Sequence, residues 1–132
     1  MTTALDTTRH VVRVVAGSAM VFAGVGHWTF ARQGFQAQVP DWVPLDKDTT
    51  VLASGVVEIA LGGALIATPE RHRPLVGAVL AAFFVAIFPG NVAQYTGHRS
   101  ALGLDTDRKR LIRLCFQPAM VATAWWSTRV RP

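Results

Sequence analysis

The chain has 132 residues, of which 51% are hydrophobic and 16% charged, with a formal net charge of +5. A soluble domain of this length normally intersperses its charges, whereas here the apolar residues form four blocks with the charges between them. The basic residues flank these blocks instead of forming one long patch, which argues against a nucleic-acid partner. The composition therefore favours a membrane protein without a separate soluble domain.

The four apolar blocks predict membrane-spanning helices. They cover about residues 11–31, 51–67, 75–95 and 111–128. Each comes close to the ~20 residues that a helix needs to cross the hydrocarbon core of a bilayer. We predict a single all-α domain, an integral membrane four-helix bundle whose first partner is the lipid bilayer.

The first connection, residues 32–50, contains the sequence QVPDWVP. Proline lacks an amide hydrogen, so a long helix cannot continue through Pro40 and Pro44. Trp42 lies between them, and tryptophan is enriched at the level of the lipid headgroups. We predict that this connection caps one end of the bundle.

Glu58 lies in the middle of the second block, with no other charge between residues 51 and 67. A charged side chain at that depth costs roughly 3 kcal/mol on insertion scales. The carboxyl group therefore needs a partner, a proton or a ligand. We predict that Glu58, His27 and Arg113 form one hydrogen-bonded cluster inside the bundle, with Arg113 or His27 as the partner of Glu58. Both a structural clamp and a ligand or proton site remain open.

The other strongly polar residues of the blocks, apart from Arg13 at the entrance of the first, lie between the midplane and the side that holds the first connection. At about 1.5 Å per residue, His27 and Asn91 each lie roughly 9 Å past the centres of their blocks. This distribution predicts a polar cavity with the first connection as its lid. The candidate ligand-binding residues are His27, Trp42, Glu58, Asn91, Arg113 and Gln117. Interhelical hydrogen bonding is the alternative role for most of them, and Arg113 has the further alternative of extending its charge to the membrane surface.

Small residues share helical faces with these polar ones. Gly17 and Gly24 lie on one face with His27, and Gly55 and Gly62 lie on one face with Glu58. Such faces allow two helices to approach closely. In the third block, the sequence Pro-Gly-Asn at residues 89–91 predicts a kink or an unwound turn.

Several chemistries are unsupported. Cys115 is the single cysteine, so neither an internal disulfide nor a CxxC pair can form. One histidine and one glutamate on matched faces are fewer ligands than a metal site normally uses. We find no nucleotide motif and no complete catalytic constellation.

Basic residues near the block ends predict the orientation. The side of the N-terminus has six of them close to the blocks, at positions 9, 13, 71, 73, 129 and 131. The other side has seven, spread over longer connections. The positive-inside rule then favours a multi-pass protein of the cell membrane with both termini in the cytoplasm.

Four segments resemble the DoxX-like family of small bacterial membrane proteins. They are GVGHWTFARQGFQAQVPDWVP, SGVVEIALGGALI, FFVAIFPGNVAQY and RLIRLCFQPAMVATAW. The resemblance covers about residues 14–126 and implies a four-helix transmembrane bundle. The residues that match its motifs are His27, Pro40, Trp42, Pro44, Ser54, Gly55, Glu58, Pro89, Asn91, Arg113 and Gln117. Gly90 departs from an expected alanine, and extra backbone freedom is the predicted consequence.

Two functions remain open. In the first, the cavity binds a quinone or a lipid-like molecule, and the protein is a subunit or accessory of a membrane redox system with a partner protein that supplies electrons. An imidazole and a carboxyl group suit hydrogen bonding and proton exchange at a carbonyl, while the quinone itself is what the DoxX-like resemblance implies. In the second, the protein is a non-catalytic scaffold that docks a soluble enzyme through the charged sequence RSALGLDTDRKR of the third connection.

Overall fold

A computed structural model describes residues 3–130 of the chain. Within that range the fold is all-α, as predicted, and no strand occurs. The helices are α1 (Ala4–Trp28), α2 (Arg32–Phe35), α3 (Lys47–Ala67), α4 (Arg73–Thr96) and α5 (Asp107–Ser127). Short 3-10 turns cover Gln36–Gln38 and Glu70–His72.

Three helices, α1, α3 and α4, are long and apolar enough to cross a membrane. In the part of the chain that the structure describes, α5 does not join them, although its 21 residues would be long enough. The reason is its polarity, because Asp107 at its start is followed by three consecutive basic residues, and Arg113 and Gln117 lie further along. Apolarity alone therefore supports three of the four predicted spans.

Side-chain caps fix where the helices begin. Thr3 and Asp6 form a reciprocal capping box, in which each side chain accepts a hydrogen bond of 3.1 Å from the other's backbone amide. This box starts α1 at Ala4, well before the predicted start at residue 11. Asp46 caps α3 by accepting from the amide of Thr49 at 2.7 Å, and Thr106 caps α5 in the same way.

Glycines set the contact between α1 and α3. A Cβ added to Gly17 would lie 2.6 Å from the Gly62 carbonyl oxygen, and one added to Gly62 would lie 2.6 Å from that of Gly17. About two turns further along α1, a Cβ on Gly24 would lie 2.7 Å from the Gly55 carbonyl oxygen. The predicted glycine faces are thus confirmed, because only a hydrogen at these positions permits such close backbone contact.

The core lies where α1, α3, α4 and α5 meet. Its buried members are Met20, Leu65, Leu80, Phe84 and Ala124. α5 packs along α4, and a buried hydrogen bond joins them, from Gln117 Nε2 to the Phe84 carbonyl at 2.6 Å. Side chains from all four long helices therefore contribute to one apolar core.

The third block differs from its prediction. α4 continues from Arg73 to Thr96 through Pro89, so an unwound turn at residues 89–91 is wrong, while the alternative of a kink stays a prediction. Gly90 also has a different role from the one expected. A Cβ there would collide with the Gln38 carbonyl oxygen, so the glycine lets the first connection pack directly on α4.

Candidate functional site

A cavity of about 680 Å³ lies between the long helices and beneath the first connection. Its wall is mostly apolar, and its volume falls in the range of roughly 300–1,000 Å³ that is usual for small-molecule sites. α1, α3, α4, α5 and residues 38–45 all contribute side chains to it. Four of the six candidate residues line it: His27, Trp42, Glu58 and Arg113.

His27 and Glu58 form the polar centre of this wall. His27 Nδ1 lies 3.0 Å from Glu58 Oε2, and the two side chains are only 7% and 12% exposed. Nδ1 also lies 2.7 Å from the Ala23 carbonyl oxygen. A carbonyl can only accept, so Nδ1 carries the hydrogen and directs it towards Ala23. Glu58 Oε2 is therefore close to the imidazole but has no hydrogen-bond partner within residues 3–130.

The imidazole is held in position by a second contact. Its ring stacks on Phe35, with centroids 3.6 Å apart and planes 15° apart. Phe35 ends α2, so the start of the first connection fixes the orientation of the histidine. Because Nδ1 is occupied by Ala23, Nε2 is the ring atom left for a ligand.

Arg113 stands apart from this pair. Its Nη1 donates to Gln117 Oε1 at 3.0 Å, and no carboxylate within residues 3–130 lies within 4.0 Å of its guanidinium. It nevertheless lies within electrostatic range of Glu58. The predicted hydrogen-bonded cluster of three is therefore wrong: His27 alone is in contact with Glu58, and Arg113 contributes a positive charge to the cavity wall.

Asn91 and Gln117 do not line the cavity. Gln117 is 2% exposed and joins α5 to α4, which corresponds to its structural alternative. Asn91 is 3% exposed, and its Oδ1 has no hydrogen-bond partner in the described part of the chain. Asn91 and Gln117 lie at the depth of the cavity along α4 and α5. The rotation of these helices about their own axes turns both side chains away from it.

The first connection covers the cavity as predicted, with Pro40 and Trp42 in its wall. Arg99 of the third connection holds it in place by donating to the carbonyls of Ala37 at 3.1 Å and Val39 at 2.9 Å. Asp41 accepts from Arg99 at 3.2 Å and pairs with Lys47 at 3.0 Å. The hydrogen bond from Lys47, with the charges of both cations, lowers the pKa of Asp41.

A second ion pair joins the two ends of the first connection. Arg32 contacts both carboxylate oxygens of Asp48, at 2.8 Å and 2.6 Å. This hydrogen bonding lowers the pKa of Asp48 and raises that of Arg32. The lid is therefore tied to the third connection through its middle, residues 37–41, and its two ends are joined by the Arg32–Asp48 pair.

Sequence reasoning missed the glutamines beneath the lid. Gln38 Nε2 donates to Gln94 Oε1 at 2.9 Å, and Gln94 Nε2 donates to the carbonyls of Arg99 and Ala101 at 3.2 Å. Gln94 is 1% exposed and lies three residues after Asn91 on α4. That spacing from another polar residue was the available signal.

The basic end of the third connection is less exposed than the docking hypothesis requires. Arg110 is 5% exposed, and its guanidinium donates to Asp107, Ser100 and the Arg99 carbonyl. Lys109 pairs with Asp105 at 2.8 Å. Arg108 is thus the cation of this tract that is exposed without a described partner, which weakens the expected docking surface.

Residues 3–130 contain no group of three or more His, Cys, Asp or Glu side chains that could hold a metal ion. Cys115 is exposed and has no disulfide. The ionisable groups of the cavity are an imidazole, a carboxyl group and a guanidinium, and amide and hydroxyl side chains such as those of Gln38 and Ser54 also line its largely apolar wall. This set can donate to and accept from one polar head group and can exchange a proton with it.

The comparisons with known proteins place the chain in a family. The family model described as "Domain of unknown function (DUF8561)" matches residues 16–128, so the chain belongs to this family. No curated protein and no solved structure matches the chain. The matched range contains His27, Glu58, Arg113 and the whole lid, and its description carries no activity.

Proposed function

We propose that this member of the DUF8561 family binds a small apolar molecule with a polar head, either a quinone or a lipid-like molecule. The observation that carries the proposal is the Glu58–His27 pair in the wall of the cavity. Glu58 Oε2 is enclosed and lacks a hydrogen-bond partner in the described residues, and a buried polar atom in that state is costly. A ligand hydroxyl group that donates to the carboxylate would relieve that cost, as would a ligand carbonyl group that accepts from the protonated carboxyl group.

The rest of the cavity suits the apolar part of such a molecule. Met20, Leu65, Leu80 and Phe84 continue the wall away from Glu58. With the hydrogen on Nδ1, His27 Nε2 is an acceptor, so it would accept from a hydroxyl group of the reduced quinone, while Glu58 supplies or removes a proton at the head. We propose quinone on the strength of the DoxX-like resemblance, and the electrons would come from a partner protein. The chain is then a membrane subunit or accessory of a redox system.

The proposal includes insertion of all four long helices into the cell membrane. Large apolar side chains face outward on each of them, including Phe22, Val56, Val85 and Phe116, which are 66%, 54%, 60% and 57% exposed. α5 is the most polar, but its Gln117 is buried and its Arg113 lines the cavity. Inward-facing polar groups are tolerated at membrane depth. We infer that α5 enters the bilayer through its packing on α4.

The first test is identification of the bound molecule. Protein purified in mild detergent is extracted with organic solvent, and the extract is analysed by mass spectrometry. We expect one quinone or lipid-like species to co-purify at close to one molecule per chain. Ser54→Trp, which places a large side chain in the cavity wall, should lose most of it.

Gly63→Trp is the matched control, because a Cβ there meets nothing within 4 Å. It should retain the molecule at the wild-type ratio. Extracts that contain no such species from wild-type protein, or equal amounts from the two variants, contradict binding in this cavity.

The second test concerns orientation. We expect both termini to lie in the cytoplasm, because Arg9, Arg13, Arg71 and Arg73 lie close to the ends of α1 and α4 on one side. Single cysteines at Thr3 and Val130, in a Cys115→Ser background, should react with a membrane-impermeant maleimide only after the cells are opened. Labelling of either position in intact cells, at the rate of a cysteine placed at Asp105 in the third connection, contradicts this orientation.

A further inference from the structure

A second polar site lies at the opposite end of the four long helices from the lid, where α1, α4 and α5 meet. Arg13 is 5% exposed there, and its Nη1 donates to the Ser127 carbonyl at 2.7 Å. Within residues 3–130, no carboxylate lies within 4.0 Å of its guanidinium. Arg13 is therefore a buried cation held by one carbonyl and without a direct counter-ion in that range.

The neighbours of Arg13 add to this positive charge. Arg9 and Arg73 lie within electrostatic range and repel it, while Glu70 is the opposing carboxylate nearby. Arg9 Nε is enclosed without a hydrogen-bond partner in residues 3–130. α4 begins at Arg73 with no side-chain cap, so the positive end of its helix dipole faces the same region. Among the described residues, the guanidinium groups of Arg9 and Arg73 thus add positive charge around Arg13, and Glu70 is the carboxylate that opposes it.

Two unpartnered groups point to an anion at this place. The hydroxyl of Ser127, a residue with 0% exposure, has no hydrogen-bond partner in the described chain, like Arg9 Nε. Both groups can donate, as can the remaining guanidinium hydrogens of Arg13. Burial of a cation without an anion is unfavourable, and guanidinium groups match the oxygen geometry of phosphate.

We propose that Arg9, Arg13 and Arg73 bind the phosphate of an anionic phospholipid headgroup. The surroundings favour a lipid over free phosphate, because Val11, Val15 and Leu75 are 52%, 63% and 65% exposed on α1 and α4 beside the cluster. Arg9 also lies over the Trp126 ring, 5.3 Å from its centroid, and tryptophan is enriched at the membrane interface. The headgroup site rests on the proposed membrane insertion, but it needs no ligand at Glu58.

The test compares lipids that have the same acyl chains and different headgroup charges. Native mass spectrometry of the detergent-purified chain is titrated with phosphatidylglycerol and with phosphatidylcholine of the same acyl chains. We expect phosphatidylglycerol to bind about tenfold more tightly. Arg73→Gln should weaken it about fivefold, as expected for the loss of one cation near a lipid phosphate. Arg13→Gln should weaken it further.

If Arg13→Gln does not fold, Arg73→Gln still tests the site. It should fold, because Arg73 makes no side-chain hydrogen bond or ion pair in the described structure. Arg108→Gln is the control, since Arg108 is an exposed cation at the lid end. It should bind phosphatidylglycerol within twofold of wild type. Equal loss in Arg73→Gln and Arg108→Gln would mean diffuse attraction and would overturn the site. Full displacement of phosphatidylglycerol by millimolar inorganic phosphate would overturn the assignment to a lipid.

Discussion

Gly62→Val is expected to destabilise the protein by about 3 kcal/mol, the upper end of what overpacking a tight contact costs. A Cβ at Gly62 would lie 2.6 Å from the Gly17 carbonyl oxygen and 3.0 Å from both Met20 Cβ and Val21 Cγ2. The first of these is a backbone atom, so α1 itself must move. The apparent melting temperature in detergent should fall by roughly 10 °C.

The adjacent glycine provides the control. Gly63 is in the same helix and one residue away, but a Cβ there meets nothing within 4 Å. Gly63→Val therefore changes side-chain size and helix propensity as much as Gly62→Val does, but it does not separate α1 from α3. A melting temperature for Gly63→Val as low as that of Gly62→Val would mean that the helix contact is not the cause.

The glycine faces could be predicted from sequence because helical periodicity fixes which residues share a face. Gly17 and Gly24 are seven residues apart, as are Gly55 and Gly62, so each pair recurs after two turns and meets the other helix twice. The same periodicity places His27 on the face of Gly17 and Gly24, and it places Glu58 on the face of Gly55 and Gly62. Their 3.0 Å approach follows from the glycine contact, because Gly24 and Gly55 bring the two backbones together at that level.

The rotation of α4 and α5 about their own axes, which decides which side chains face the cavity, was harder to predict. Asn91 and Gln117 lie at suitable depths, yet both are buried outside the cavity wall. Hydrophobic periodicity indicates little here, because α4 carries apolar residues on all sides. Which polar residue faces the cavity is decided instead by contacts such as that of Gly90 with the Gln38 carbonyl.

Contacts made by the connections had no signal in the sequence. Arg99 reaches residues 37–41, which lie about sixty positions earlier in the chain, and no spacing rule relates two irregular segments. The ordered third connection follows from such contacts. His98 and Leu102 adopt positive φ angles of 50° and 58°, and Gly103 follows at 76°. These angles allow the turn that pairs Ala101 with Leu104.

The cavity and the arginine cluster share one residue. Ser127 lines the far end of the cavity wall, and its carbonyl accepts from Arg13. A lipid headgroup at Arg13 and a polar head at Glu58 would therefore lie at opposite ends of one apolar space. An apolar tail extending from Glu58 would run towards the cytoplasmic end in the proposed orientation.

Glu58→Gln is expected to lower the affinity for a short-chain ubiquinone analogue by ten- to a hundredfold, about 1.4–2.7 kcal/mol. Glutamine has nearly the same shape, so the cavity and the packing of α3 on α1 are retained. What is lost is the titratable group at Oε2, the atom that has no hydrogen-bond partner in the described residues. Quenching of tryptophan fluorescence reports the binding, because Trp42 lies in the cavity wall.

His27→Ala should reduce the affinity by a similar factor. The variant that combines His27→Ala with Glu58→Gln should lose less affinity than the product of the two separate fold losses. Non-additivity is expected because Nδ1 lies 3.0 Å from Oε2 and both side chains contact one head group. Glu70→Gln and His72→Ala remove the same chemical groups from exposed positions in the second connection and should bind as wild type does. If Glu58→Gln binds the analogue as tightly as these two controls do, Glu58 is a structural clamp between helices, and the head group lies elsewhere. That outcome would leave the glycine contacts intact, since Glu58→Gln changes none of the atoms between α1 and α3 that Gly17, Gly24, Gly55 and Gly62 bring together.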